Sequence, residues 1–134
     1  QLSDISGLSG CSNLTTLTIS NNSISDLSPL ASLGNLQTLD FSYNQVSEIP
    51  SFPGSSAMQL IDGSYNSIAS IDVLAKMPNI RYIYMDYNKI TDVDALADCS
   101  LLVQLNVYGN EIANVSALTD HDIIVNYDPT NSED

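Results

Sequence analysis

The chain has 134 residues, 43% of them hydrophobic, and no uninterrupted apolar run reaches the roughly 18 residues of a membrane-spanning helix. Three basic residues (Lys76, Arg81 and Lys89) stand against 16 acidic ones, for a net charge of −13. That balance repels phosphate backbones and anionic lipid heads, which argues against nucleic acid and membrane insertion and leaves a basic protein surface, a cation or an uncharged glycan as partners.

Taken in order, the chain is built of units. Residues 1–12 read as the returning half of one, with apolar Leu2, Ile5 and Leu8 at every third place. Complete units of 22 residues follow at about 13–34, 35–56, 57–78, 79–100 and 101–122. Each carries one phrase, L-x-x-L-x-L-x-x-N: LTTLTISNN, LQTLDFSYN, MQLIDGSYN, IRYIYMDYN and LVQLNVYGN, closing on Asn22, Asn44, Asn66, Asn88 and Asn110. Apolar residues fill the first, fourth and sixth places, as in Ile80, Ile83 and Met85, with Gly63 the exception at a sixth place. After each Asn, apolar residues recur two, five and eight places on, as in Ile90, Val93 and Leu96. Residues 123–134 form the last piece: DIIVNYDP offers Ile124 and Tyr127 at the first and fourth places of a sixth phrase, and Pro129 with the polar TNSED halts it. An edge strand or cap leading into a linker is expected there.

One such unit cannot bury its own apolar ridge, so the units must stack into a continuous core. Alternation within each phrase predicts a short strand with one buried face. The five phrases in register resemble the leucine-rich repeat family, and the 22-residue period with I-x-D-[LV]-x-x-L is closest to its bacterial internalin-like branch. The resemblance covers nearly the whole chain. It implies an α/β solenoid, a curved right-handed stack of coils with a parallel β-sheet on the concave face and short helical, 3₁₀ or extended segments on the convex face. We expect a single domain over 1–134, part of a larger protein because the first coil lacks its strand.

The Asn column is predicted to sit inside the bend after each strand, where an amide can donate to and accept from backbone groups outside the ladder. Gly63 should leave a gap for Phe41 or Met85 to fill, and Pro50, Pro53 and Gly54 favour an extended return in that coil.

If the apolar places point inward, the third, fifth and seventh places project from the concave face, with the eighth beside them. The third column is Thr16, Thr38, Leu60, Tyr82, Gln104; the fifth is Thr18, Asp40, Asp62, Tyr84, Asn106. The seventh is Ser20, Ser42, Ser64, Asp86, Tyr108; the eighth is Asn21, Tyr43, Tyr65, Tyr87, Gly109. Six of the seven tyrosines fall on this surface, leaving Tyr127 elsewhere. Tyrosine combines a broad apolar body with a polar tip, which is why it concentrates at interfaces. It is also a good strand residue, and S-Y-N is common in the family, so Tyr43, Tyr65 and Tyr87 fit a structural role as well. Tyr82, Tyr84 and Tyr108, with Leu60, extend the patch toward the C-terminal coils. Asp40 and Asp62 are predicted neighbours about 4.8 Å apart, repelling by roughly 1 kcal/mol in a water-like dielectric. A partner's Lys or Arg would relieve that, a divalent cation less readily, and two splayed, solvated acids need neither.

Other chemistry is thin. Cys11 and Cys99 hold equivalent places four coils, or about 19 Å, apart, too far for a disulfide, and are expected free, buried and inert. His121, between Asp120 and Asp122, has no nucleophile beside it and reads as part of the C-terminal cap. No catalytic residue, metal site or cofactor is expected, and the oligomeric state stays open. The resemblance implies a binding module of a secreted or cell-surface protein, engaged in adhesion or host recognition. A ligand-free scaffold and an intracellular regulatory repeat protein are the alternatives.

Overall fold

A computed structural model describes residues 1–52, 57–119 and 122–128. Six three-residue strands form one parallel sheet in chain order: β1 (Thr16–Thr18), β2 (Thr38–Asp40), β3 (Leu60–Asp62), β4 (Tyr82–Tyr84), β5 (Gln104–Asn106) and β6 (Ile124–Asn126). The first five strands pair in a constant register, Thr16↔Thr38↔Leu60↔Tyr82↔Gln104, so each coil advances by one period. From β2 to β5 the fourth-column residues behind the sheet are closed to solvent: Leu39, Ile61, Ile83 and Leu105 all have zero exposure, while Leu17 and Val125 at the ends are partly buried. Gly63 belongs to that wall. A Cβ there would lie 2.5 Å from the Phe41 ring and 2.9 Å from the Met85 sulfur, so both neighbours occupy the space its side chain would need.

Each return is started by a small side-chain device. Asp4, Asp26, Ser70, Asp92 and Asn114 accept a hydrogen bond from the backbone N–H two residues on, and 3₁₀ turns follow at Ser6–Leu8, Ser28–Leu30, Asp72–Lys76, Asp94–Asp98 and Ser116–Leu118. Such Asx and Ser turns offer the backbone an alternative to ladder bonds. In the coil 35–56 the corresponding places are Glu48 and Pro50, and proline has no N–H to give. No 3₁₀ turn forms among the described residues of that coil. Pro53 and Gly54 lie outside the described residues.

The five asparagines staple the stack. Asn88 is typical: its Nδ2 donates to the carbonyls of Met85 and Asp86 in its own coil and of Gly63 in the preceding one, while its Oδ1 accepts the Ile68 N–H at 2.9 Å. Asn44, Asn66 and Asn110 repeat the pattern, and Asn22 keeps the bonds to Leu2, Ile19 and Ser20. A side chain nearly closed to water thus answers backbone groups that the sheet cannot reach.

Three expectations are corrected. Cys11 is exposed, in the first return of the sequence, whereas Cys99 is buried at the same place of a return packed between two coils. Both thiols are free, and burial, with the charge of Asp98, pushes that of Cys99 up to about 11. The last step of the sheet is 20 residues, not 22: Gln104↔Ile124 and Leu105↔Val125. Val125 therefore takes the fourth place, Ile124 moves to the third, and Tyr127 packs against the core at the sixth. The seventh column does not project uniformly, since Ser42 and Ser64 are buried. His121 lies outside the described residues.

Candidate functional site

The sheet's concave face is set by strand parity, and the structure divides its tyrosines into two groups. Tyr43, Tyr65 and Tyr87 adopt left-handed backbone, with φ of 59°, 60° and 58°. That conformation costs a bulky residue on the order of 1 kcal/mol. Three contacts hold it. Each N–H donates to the carbonyl at the seventh place of the next coil, Tyr43 to Ser64, Tyr65 to Asp86 and Tyr87 to Tyr108. Each is followed by one of the stapling asparagines. The rings themselves stack, with centroids 4.4 Å apart for Tyr43 and Tyr65 and 4.7 Å for Tyr65 and Tyr87. Gly109 ends the column at φ 68°, and a Cβ there would meet the Tyr87 ring at 2.3 Å. The ladder ends against that glycine, whose missing side chain leaves room for the Tyr87 ring.

Tyr82 and Tyr84 stand differently. They lie two residues apart on β4, half-buried, with nearly parallel rings whose centroids are 6.5 Å apart. Leu60 and Gln104 flank Tyr82 across the sheet; Asp62 and Asn106 flank Tyr84. Tyr108 is exposed beyond β5, beside Asp86, whose carboxylate accepts its N–H at 2.7 Å. Ile124 extends the third column and is the most exposed large apolar side chain among the described residues, at 56%.

The acids form a diagonal. Asp40 and Asp62 pair directly across β2 and β3. Asp40 accepts both the N–H and the hydroxyl of Ser42, and Asp62 accepts the Ser64 N–H. Burial raises the Asp62 carboxyl above the usual carboxylate range against the opposing pull of the Ser64 bonds, and the Asp40 charge adds to the rise. Asp86 is raised by burial too, with Asp62 and Asp128 adding to it and the Tyr108 N–H opposing. Asp128 accepts the Gly109 N–H. Among the described residues no three His, Cys, Asp or Glu side chains gather as a metal site would require, and no helix is long and apolar enough to cross a membrane.

The structure thus brings Leu60, Asp62, Tyr82, Tyr84, Asp86 and Tyr108 together on β3 to β5, sets Tyr43, Tyr65 and Tyr87 in a separate column, and leaves Asp40 between Thr18 and Asp62. Sequence reasoning set Ile124 in the wrong register and missed Asn126 and Asp128. The signal was present as Val125-Asn126-Tyr127 against Leu105-Asn106-Val107, an alignment that needs a coil two residues short.

Coils of this register, an asparagine staple and a parallel sheet define a leucine-rich repeat solenoid. Family models agree: Leucine Rich repeats (2 copies) matches residues 1–32 and Leucine Rich Repeat matches 35–56. Internalin C2 of Listeria monocytogenes superposes with a TM-score of 0.90 at 29% identity, over 95% of this chain and 57% of its own. An internalin of the same species, InlF, gives 0.89 at 26% identity, over 98% and 40%. A leucine-rich repeat protein of Leptospira interrogans gives 0.85 at 17% identity, over 94% and 34%, a likeness of fold. Comparison with curated proteins finds no match. The chain folds as a leucine-rich repeat solenoid, and its coil is similar to that of the internalins. It spans little more than half the length of the first of these solved chains and less than half of the second. Folds of this kind are protein-interaction modules, and no enzymatic family is indicated.

Proposed function

We propose that this chain is a single leucine-rich repeat domain that binds a protein partner through the C-terminal part of its concave face, without catalysis or cofactor. One observation carries the reading. An apolar and aromatic surface of Leu60, Tyr82, Tyr84, Tyr108 and Ile124 lies on a rigid sheet whose core is already closed without it. Rigid aromatic anchors amid polar neighbours are the usual centre of an interface. The internalin likeness supports a secreted or cell-surface protein engaged in adhesion or host recognition. A glycan is the weaker partner, because the ladder rings cover one another's faces and leave few open platforms for a sugar.

The test is capture from an array of immobilised surface proteins and glycans by the unmodified chain and by a Tyr82→Ala, Tyr84→Ala, Tyr108→Ala variant, with folding checked by circular dichroism. A partner held by the first and weakened about thirtyfold in the second is expected, since hot-spot aromatics contribute about 2 kcal/mol or more. A partner indifferent to the three substitutions would place binding elsewhere.

A further inference from the structure

We infer that Tyr82 and Tyr84 form a stacking platform for an arginine side chain of the partner, with the Asp62 carboxylate as its counter-ion. This rests on the concave-face reading and names the chemistry it selects. The two rings lie nearly parallel on one strand with centroids 6.5 Å apart, and together they offer a broader aromatic surface on which a planar cation can stack than a single ring does. The ladder rings, at 4.4 and 4.7 Å, are closed to such a guest. Asp62 is the cross-strand neighbour of Tyr84 and Leu60 that of Tyr82, so a charged head and an aliphatic stem both find a match. The guanidinium is planar, stacks on aromatic faces and is weakly hydrated; ammonium is compact and strongly hydrated.

Charge complementarity points the same way. The chain carries −13, and its three cations lie off the concave columns: Lys76 in a convex turn, Arg81 on the alternate parity to Tyr82, and Lys89 past the bend. Among the described residues no Lys or Arg of the chain stands on the concave columns beside these rings. The raised Asp62 carboxyl would be lowered by a cation beside it. A calcium ion would want six or more oxygens, which one carboxylate and two rings do not supply.

The experiment is a protein-observed NMR titration with acetyl-Gly-Arg-Gly-amide, its lysine analogue, and its citrulline analogue, which keeps the shape and removes the charge. Tyr82 and Tyr84 ring signals should shift with the arginine peptide while those of Tyr43 stay. Citrulline and lysine should bind at least about threefold more weakly, and Asp62→Asn should weaken the arginine peptide by a similar factor. The Asp62 carboxyl should titrate at lower pH with the peptide bound. Equal response to arginine and citrulline, shifts spread over Tyr43 and Tyr65, or no shift at tens of millimolar peptide would each overturn the platform. The wild-type comparison of peptides needs no variant to fold. A partner captured in the array without an arginine at the contact would sink the platform and keep the proposed function. A peptide response with no captured partner would do the reverse.

Discussion

Tyr43, Tyr65 and Tyr87 share a sheet and a side chain with Tyr82, Tyr84 and Tyr108, yet the two groups differ in nearly every physical respect. The first group sits in left-handed backbone, donates each N–H to the next coil, and stacks at van der Waals spacing. The second has no such backbone; its members on β4 stand 6.5 Å apart, and Tyr108 is held through its backbone, donating its N–H to Asp86 and accepting from the Tyr87 N–H and the Asn110 side chain. Exposure does not single out the second group, since Tyr65 and Tyr108 are 41% and 43% exposed while Tyr82 and Tyr84 are half-buried. Backbone conformation and ring spacing do. A ladder of rings at 4.4 and 4.7 Å stabilises the coil stack more than a pair at 6.5 Å does.

Breaking the frame beneath both groups has the largest effect. Asn88→Ala strands the buried Ile68 N–H and removes three carbonyl contacts. A loss of about 3 kcal/mol in urea unfolding is expected, and a loss under about 1 would show that water replaces the staple. Gly109→Ala comes next. It places a Cβ in a left-handed residue and into the Tyr87 ring, so about 2 kcal/mol should go, and the same change at Gly7, where nothing stands nearby, should cost far less. Third, Tyr65→Ala removes both ring contacts of the ladder and should cost about 1 to 2 kcal/mol, against less for Tyr84→Ala.

The smallest effect is on pH. Asp62 and Asp86 have carboxyls raised by burial, so the folded chain holds their protons more readily than the unfolded chain does. The sign follows: stability rises as pH falls from neutral toward the carboxylate range, and is lost again as pH rises through the raised folded values. Asp4 and Asp26, lowered by the N–H groups of Ser6 and Ser28, act oppositely and lose their contribution only at more acid pH. An Asp62→Asn, Asp86→Asn protein should gain on the unmodified one at pH 7, and the gap should narrow as pH falls through the raised folded values and close only near the ordinary carboxylate value of 3.8, measured as the shift in urea midpoint. A gap that widens on acidification would contradict the assigned cause.

Much of the frame is legible in the sequence because the period fixes it: five asparagines 22 residues apart set register, parity and core. What parity alone does not give is where the chain leaves the strand. Ser42 and Ser64 lie past it, at the bend, and are covered by their neighbours; Ser42 bonds Asp40 and Ser64 accepts the Asp86 N–H. The left-handed tyrosines are hidden for the same reason, since the tyrosines of S-Y-N carry no glycine to mark a positive φ. Gly109 in Y-G-N marks the same backbone place, and it could have been read that way. Ile124 was misplaced because the last coil is two residues short, and Cys11 because a column rule assumes a coil on both sides.

The division of the tyrosines is tested most directly by urea unfolding of two proteins, Tyr43→Ala, Tyr65→Ala, Tyr87→Ala and Tyr82→Ala, Tyr84→Ala, Tyr108→Ala, side by side with the unmodified chain. The first should lose about 2 to 4 kcal/mol, and the second less than half as much. Equal losses, or a larger loss from the second set, would show that the β4 and β5 tyrosines hold the coils together as the ladder does, leaving no spare surface for a partner.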